Sequence, residues 1–248
     1  MPLNHTDKAT LAGLYLSKYD RRALVALGCS GVWQAFNILG YSLGAGPASI
    51  KNYRDEFDHE IRKTNPQHPR EGWKRPLKTR SKDLYDRFSS LDFDRFTDMV
   101  KGFLMPSFKK EQLVAHATKQ FTSLNLAQRL MTGQAAEAYF KVHYSSIPAF
   151  NDFGLEDVTS CGCGYDFHLS RTSDFYCVEV KGLGSNTGSI SMTENEYAVA
   201  DEVKERYCLF VVRNFQRTPS HSFFFNPTKS NLTFRPQQRT VTSYLAYV

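Results

Sequence analysis

Three residues of this chain have the types and spacing to do chemistry on a phosphodiester. Asp166 stands in Gly164-Tyr165-Asp166-Phe167, and Glu179 and Lys181 stand in Cys177-Val178-Glu179-Val180-Lys181-Gly182. The run Phe175 to Val180 is rich in β-formers, and in a strand side chains two apart share a face. Glu179 and Lys181 therefore stand side by side, with Asp166 on the preceding predicted strand across a turn at residues 170–174. Two carboxylates can hold a divalent cation, and a lysine beside them can orient or deprotonate a water. The competing reading is a salt bridge on an exposed strand face. Against it, charges on one face of an otherwise apolar strand are costly unless paired or metal-bound.

Elements that could position these residues follow from the hydrophobic pattern. Residues 9–28 carry apolar positions at helical spacing, broken near Lys18-Tyr19-Asp20, and Val32 to Leu43 reads as a second helix. Gly44-Ala45-Gly46-Pro47 is a turn, and Pro47 suits the first turn of a third helix through Ile50, Tyr53 and Phe57. Helix, glycine turn, helix is the outline of a helix-turn-helix. Residues 83–131 read as helical with a break at Met105-Pro106-Ser107, and Gln134 to Tyr144 as a further helix. Short β-like runs follow at 155–159, 165–169, 175–181, 188–192 and 207–213. A helix over Asn195 to Arg206 interrupts them, and late strands are expected at 223–225 and 241–248. The fold class expected is α+β: a helical N-terminal region over 1–130, then a mixed-sheet domain over 131–248.

Charge divides the chain at the same place. Residues 1–130 hold 21 Lys and Arg against 13 Asp and Glu, a net +8; residues 131–248 hold 10 against 12, a net −2. A basic region can hold a polyanion while an acidic one does metal chemistry, although a basic half can also serve solubility alone. Ser49, Lys51, Asn52 and Arg54 lie off the apolar stripe of the third helix and are types that contact phosphates and base edges. Arg70, Lys74, Arg75, Lys78 and Arg80 surround Trp73 in a proline-containing loop suited to a nucleic-acid backbone. A solvated hairpin face and a solvated loop with Trp73 in the core are the plainer alternatives.

The ordered set Gly133-x-x-x-Glu137, Gly164-Tyr165-Asp166, Val178-Glu179-Val180-Lys181-Gly182, Thr193-x-x-Glu196 and Tyr207-x-Leu-Phe-Val resembles the NO VEIN C-terminal-type branch of the PD-(D/E)xK nuclease superfamily, over about residues 130–215. The resemblance implies a mixed sheet flanked by helices, with Asp166, Glu179 and the Val180 carbonyl as ligands of Mg²⁺. It implies that Lys181 positions or activates the attacking water and that Glu137 is an auxiliary acid; Glu196 matches a family position whose role is to cap or support the site. More loosely, Ala48 to Asp58 with Gly72-Trp73 resembles regions attached to restriction-type nucleases. A Type II restriction endonuclease acting on double-stranded DNA as a homodimer is the activity implied. The alternatives are a modification-dependent or repair nuclease, or a DNA-binding regulator with an inactive nuclease fold. Lysine beside a metal is expected to have a depressed pKa.

Several classes are set aside. No apolar run approaches a membrane span, and Met1 to Asp20 lacks the order of a signal peptide. Five cysteines, an odd count scattered through expected core, suit a reduced cytoplasmic protein. Cys161-Gly162-Cys163 lacks the spacing of a zinc knuckle. The glycine-rich run after Gly182 lacks a phosphate-loop ending and reads as a flexible loop. His168, two residues after Asp166, reads as a satisfied core histidine rather than a phosphate contact.

Overall fold

A computed structural model describes residues 3–104, 123–172 and 174–237. The chain divides into two compact units that meet between Met131 and Thr132. Helices make up the first and a sheet dominates the second, so the α+β class with helices N-terminal is the observed one.

In the first unit, α1 (His5–Ala26) starts on an Asn4 capping box with Asp7, and Asp20 breaks its helical geometry at φ 45°. That is the break expected near Lys18-Tyr19-Asp20. α2 (Val32–Ser42) and α3 (Pro47–Thr64) follow, joined by a turn in which Gly46 takes φ 76° and Pro47 opens the helix. α4 (Thr79–Phe88) and α5 (Phe93–Leu104) come next. Gly13 lets α1 lie against α3, because a Cβ there would sit 2.4 Å from the Cβ of Tyr53. Leu14, Tyr15, Phe36, Ile50, Phe57 and Phe96 are buried between the helices. The expected break at 105–107 and strand at 241–248 fall outside the described residues.

α6 (Ser123–His143) carries the chain across the boundary. The second unit holds one sheet in the order β1 (Gly154–Asp157), β2 (Phe167–Arg171), β3 (Asp174–Gly182), β4 (Tyr207–Arg213), β5 (Ser220–Phe225). Neighbours are antiparallel except β3 and β4, which are parallel. A parallel pair needs a crossover, and α7 (Glu194–Val203) supplies it. Phe140 of α6 packs on Phe167 and Phe210 of one sheet face, with ring centroids 5.1 and 4.9 Å apart. Cys177, Tyr207 and Ala200 of α7 form the core on the other face. β4 is buried along six of its seven residues, as a strand covered on both faces should be. The run at 188–192 is not a strand: it lies in the irregular connection between β3 and α7. Ile190 has strand propensity there, but a strand exists only with a ladder partner.

Candidate active site

The site is built at the C-terminal part of β3. Glu179 is 3% exposed, and Lys181, on the same face, reaches it at 2.5 Å. Asp166 straddles Glu179: its backbone N–H donates to the Val178 carbonyl at 2.9 Å, and its Oδ2 accepts from the Val180 N–H at 2.8 Å. The N–H and C=O of one strand residue leave by the same edge, so the Val180 carbonyl also points to the side where Asp166 lies. Two glycines permit this crowding. A Cβ on Gly182 would meet the Thr132 carbonyl of α6 at 2.6 Å, and one on Gly164 would meet Val199 of α7 at 2.8 Å. Gly164 also takes φ 88°, and its carbonyl accepts from the buried Tyr207 hydroxyl at 2.8 Å. The glycines of Gly164-Tyr165-Asp166 and Lys181-Gly182 thus let both strands close on their flanking helices.

Electrostatics mark the cluster as short of positive charge. Burial, aided by the charge of Asp166, pushes the Glu179 carboxyl up to about 8. The same two causes push Glu137 of α6 up to about 7, which places its carboxyl within the field of Asp166. Asp166 is raised by burial, opposed by the Val180 N–H and Lys181. Burial alone would push the Lys181 ammonium down, but Glu179 and Glu196 outweigh it and its pKa is raised. The expected depression concerns a lysine beside a metal; without a cation, Lys181 lies between two carboxylates, and they hold its proton.

Glu196 and its neighbour Thr193 were legible only as a family position. Thr193 caps α7 in a capping box, with Glu196 N–H donating to Thr193 Oγ1 at 3.2 Å and Thr193 N–H to Glu196 Oε2 at 3.0 Å. That same Oε2 accepts from Lys181 Nζ at 2.8 Å.

Asp166, Glu179 and the Val180 carbonyl form a hard-oxygen donor set of the kind Mg²⁺ takes while keeping some waters. Among the described residues no three His, Cys, Asp or Glu side chains converge as a ready cage. The fit rests instead on two carboxylates, one carbonyl and an unneutralised negative field that a divalent cation would relieve. His168 is not satisfied as expected: its Nδ1 is buried with no partner among the described residues, while its ring stacks on Phe175 at 5.7 Å. Cys161 is exposed, Cys163 half-buried and Cys177 buried, and all five thiols are free.

Of the nucleic-acid candidates in the first unit, Asn52, Lys74, Arg75 and Lys78 are exposed and Ser49 is half-buried. Arg75 stacks over half-buried Trp73 at 4.1 Å. Lys51 and Arg54 pair with Asp55 at 2.7 and 2.6 Å, Lys74 with Glu71 at 3.0 Å, and Arg80 with Asp7 at 2.8 Å. Arg70 has a different place from the one expected. Its guanidinium bonds to buried Asp58 at 2.8 Å and to Asp20, inside a network that also takes Ser17 and His68. Lys63 and Tyr85, not singled out by sequence, and Lys82, the last cation of the basic run, line a cleft of about 440 Å³ together with Lys74 and Arg75.

Fold and site together define a two-unit α+β protein whose sheet carries a partly buried acid–lysine cluster. Residues 149–225 match the family described as Protein NO VEIN, C-terminal. The matched segment contains Asp166, Glu179, Lys181 and Glu196 and begins after Glu137. Comparison with curated proteins found no match, and comparison with solved structures found none either. No described helix is long and apolar enough to cross a membrane.

Proposed function

We propose that this protein is a Mg²⁺-dependent, sequence-specific endonuclease of the PD-(D/E)xK type that hydrolyses double-stranded DNA, acting as a homodimer. The observation that carries the reading is the convergence of half-buried Asp166 and Lys181 on buried Glu179 at one end of β3. The match to the NO VEIN C-terminal family, which is linked to nuclease-like domains, supports it. A Mg²⁺ ion bound there would neutralise phosphoryl oxygens and lower the pKa of a bound water. Asp166 and Glu179 hold the negative field in place. Lys181, held by Glu179 and Glu196, stands where a lysine can orient or deprotonate the nucleophile. Glu137, pushed up to about 7, can carry or release a proton near neutral pH beside Asp166. In the first unit, Asn52, Lys74, Arg75 and Lys78 offer exposed contacts for the duplex.

Incubation of the purified protein with unmethylated and methylated DNA, with Mg²⁺ or with EDTA, tests the reading beside Lys181→Ala. Discrete fragments are expected with Mg²⁺ only, and the variant should be slower by roughly 10²-fold or more. Cleavage of methylated DNA alone would move the reading to a modification-dependent nuclease. Retention of DNA in a gel shift with no cleavage of any substrate would replace the enzyme with a binding protein.

A further inference from the structure

Lys181 is held by two carboxylates that have different obligations. Glu179 lies on the same strand at 2.5 Å and belongs to the donor set that would take a cation. Glu196 comes from the first turn of α7 at 2.8 Å and has no such duty. Its Oε2 serves two donors at once, the Lys181 ammonium and the Thr193 backbone N–H. A side chain tied into the capping box at a helix N-terminus has its direction set before any ligand arrives. α7 is itself anchored, because Ala200 is fully buried against Cys177 and Tyr207 of the sheet.

We propose that Glu196 is the positioning residue of the site: it keeps the Lys181 ammonium in place when Glu179 turns its oxygens to a cation. This rests on the nuclease reading above for its purpose, but the hold of Glu196 on Lys181 is a property of the chain alone. An ammonium has three donors, and with Glu179 drawn away a lysine on its flexible stem would lose its direction. Glu196 keeps one charge-assisted bond fixed to the end of α7, so Lys181 still faces the end of β3. The N-terminal turn of α7 thereby becomes part of the active site.

Two variants separate positioning from capping. Glu196→Gln keeps an oxygen to accept from Thr193 N–H but removes the charge. Thr193→Ala removes the hydroxyl cap and leaves Glu196 charged. The first readout is the NMR signal of the Lys181 ammonium in metal-free protein carrying Glu179→Gln, which removes the charged partner at 2.5 Å and leaves Glu196, assigned by its loss in Lys181→Ala. A slowly exchanging signal is expected in that background alone and with Thr193→Ala added, and its loss with Glu196→Gln added. A signal unchanged when Glu196→Gln is added, or absent from the Glu179→Gln background, overturns the proposal. The second readout is cleavage. Glu196→Gln should lower kcat by roughly 10²-fold with KM for DNA unchanged, as a misplaced group does. Thr193→Ala should stay within about threefold of wild type while its melting temperature falls. Equal losses of kcat in the two variants would make Glu196 a cap only. If the wild type cleaves nothing but the NMR pattern holds, the positioning role stands and the nuclease reading falls.

Discussion

Each unit of this protein buries a carboxylate, and the two are treated in opposite ways. Asp58 in the first unit is 1% exposed and receives bonds from Ser17 at 2.7 Å, His68 at 2.9 Å and Arg70 at 2.8 and 3.0 Å. Burial would raise its pKa, yet those bonds outweigh it and hold the carboxyl below its ordinary value. Glu179 in the second unit is as deeply buried, but among the described residues only Lys181 reaches it with a bond, so burial and the charge of Asp166 raise its pKa. A satisfied buried charge is architecture. One left short of partners at a glycine-flanked strand end is the kind of group that functional sites collect.

The largest effect expected from this contrast is on stability. Asp58→Asn leaves Arg70 and His68 facing a neutral amide and should cost about 3 kcal/mol, the scale of a broken buried ion pair. Glu179→Gln removes a carboxyl that burial disfavours and leaves Lys181 its bond to Glu196, so metal-free stability should change by less than about 1 kcal/mol. Both tryptophans, Trp33 and Trp73, lie in the first unit, so their fluorescence in urea follows it. The second unit can be followed by reaction of the buried thiols Cys177 and Cys208. A larger loss from Glu179→Gln than from Asp58→Asn would invert the comparison.

The pH dependence should be smaller and of opposite sign in the two units. Asp58 has a lowered folded pKa, so its contribution is complete above the ordinary value of 3.8 and is lost as pH falls through the folded value. Tryptophan-monitored stability should therefore fall on acidification below about pH 4, and Asp58→Asn should flatten that fall. Glu179 has a raised folded pKa, so the folded state binds its proton more tightly than the unfolded state between 4.5 and about 8. Metal-free stability of the second unit should decline as pH rises through that window, as measured by thiol protection. Parallel pH profiles would show that the two carboxylates are not held differently after all.

The contrast also explains what could be read from the chain. Glu179 and Lys181 are two apart and Asp166 lies across one tight hairpin, so strand periodicity alone put them together. The α2–α3 junction was equally local, because Gly46 and Pro47 announce both the turn and the helix start. The Asp58 network was illegible because its members are scattered: Ser17, Asp20, His68 and Arg70 meet only when α1 folds on α3. Arg70 therefore looked like one more cation of a basic run. The role of Glu196 needed the crossover helix to bring residue 196 back to residue 181, which no period reveals. Ile190 misled for the converse reason, since local propensity was present and no neighbouring strand was.

The smallest expected effect asks whether Arg70 and its neighbours in the basic run differ in kind. Lys78 and Arg75 are exposed, whereas the Arg70 guanidinium is taken by Asp58 and Asp20. If the run contacts a DNA backbone, each phosphate neutralised contributes about 0.9 to the slope of log affinity against log salt. Lys78→Ala should then weaken duplex binding modestly and reduce that slope by about 1, with the urea midpoint unchanged. Arg70→Ala should do the reverse, lowering the midpoint while any binding that survives keeps its slope. Filter binding from low to moderate salt on both variants decides it. A reduced slope in Arg70→Ala with stability intact would mean that DNA competes with Asp58 for this arginine, and the satisfied network would then itself be a recognition element.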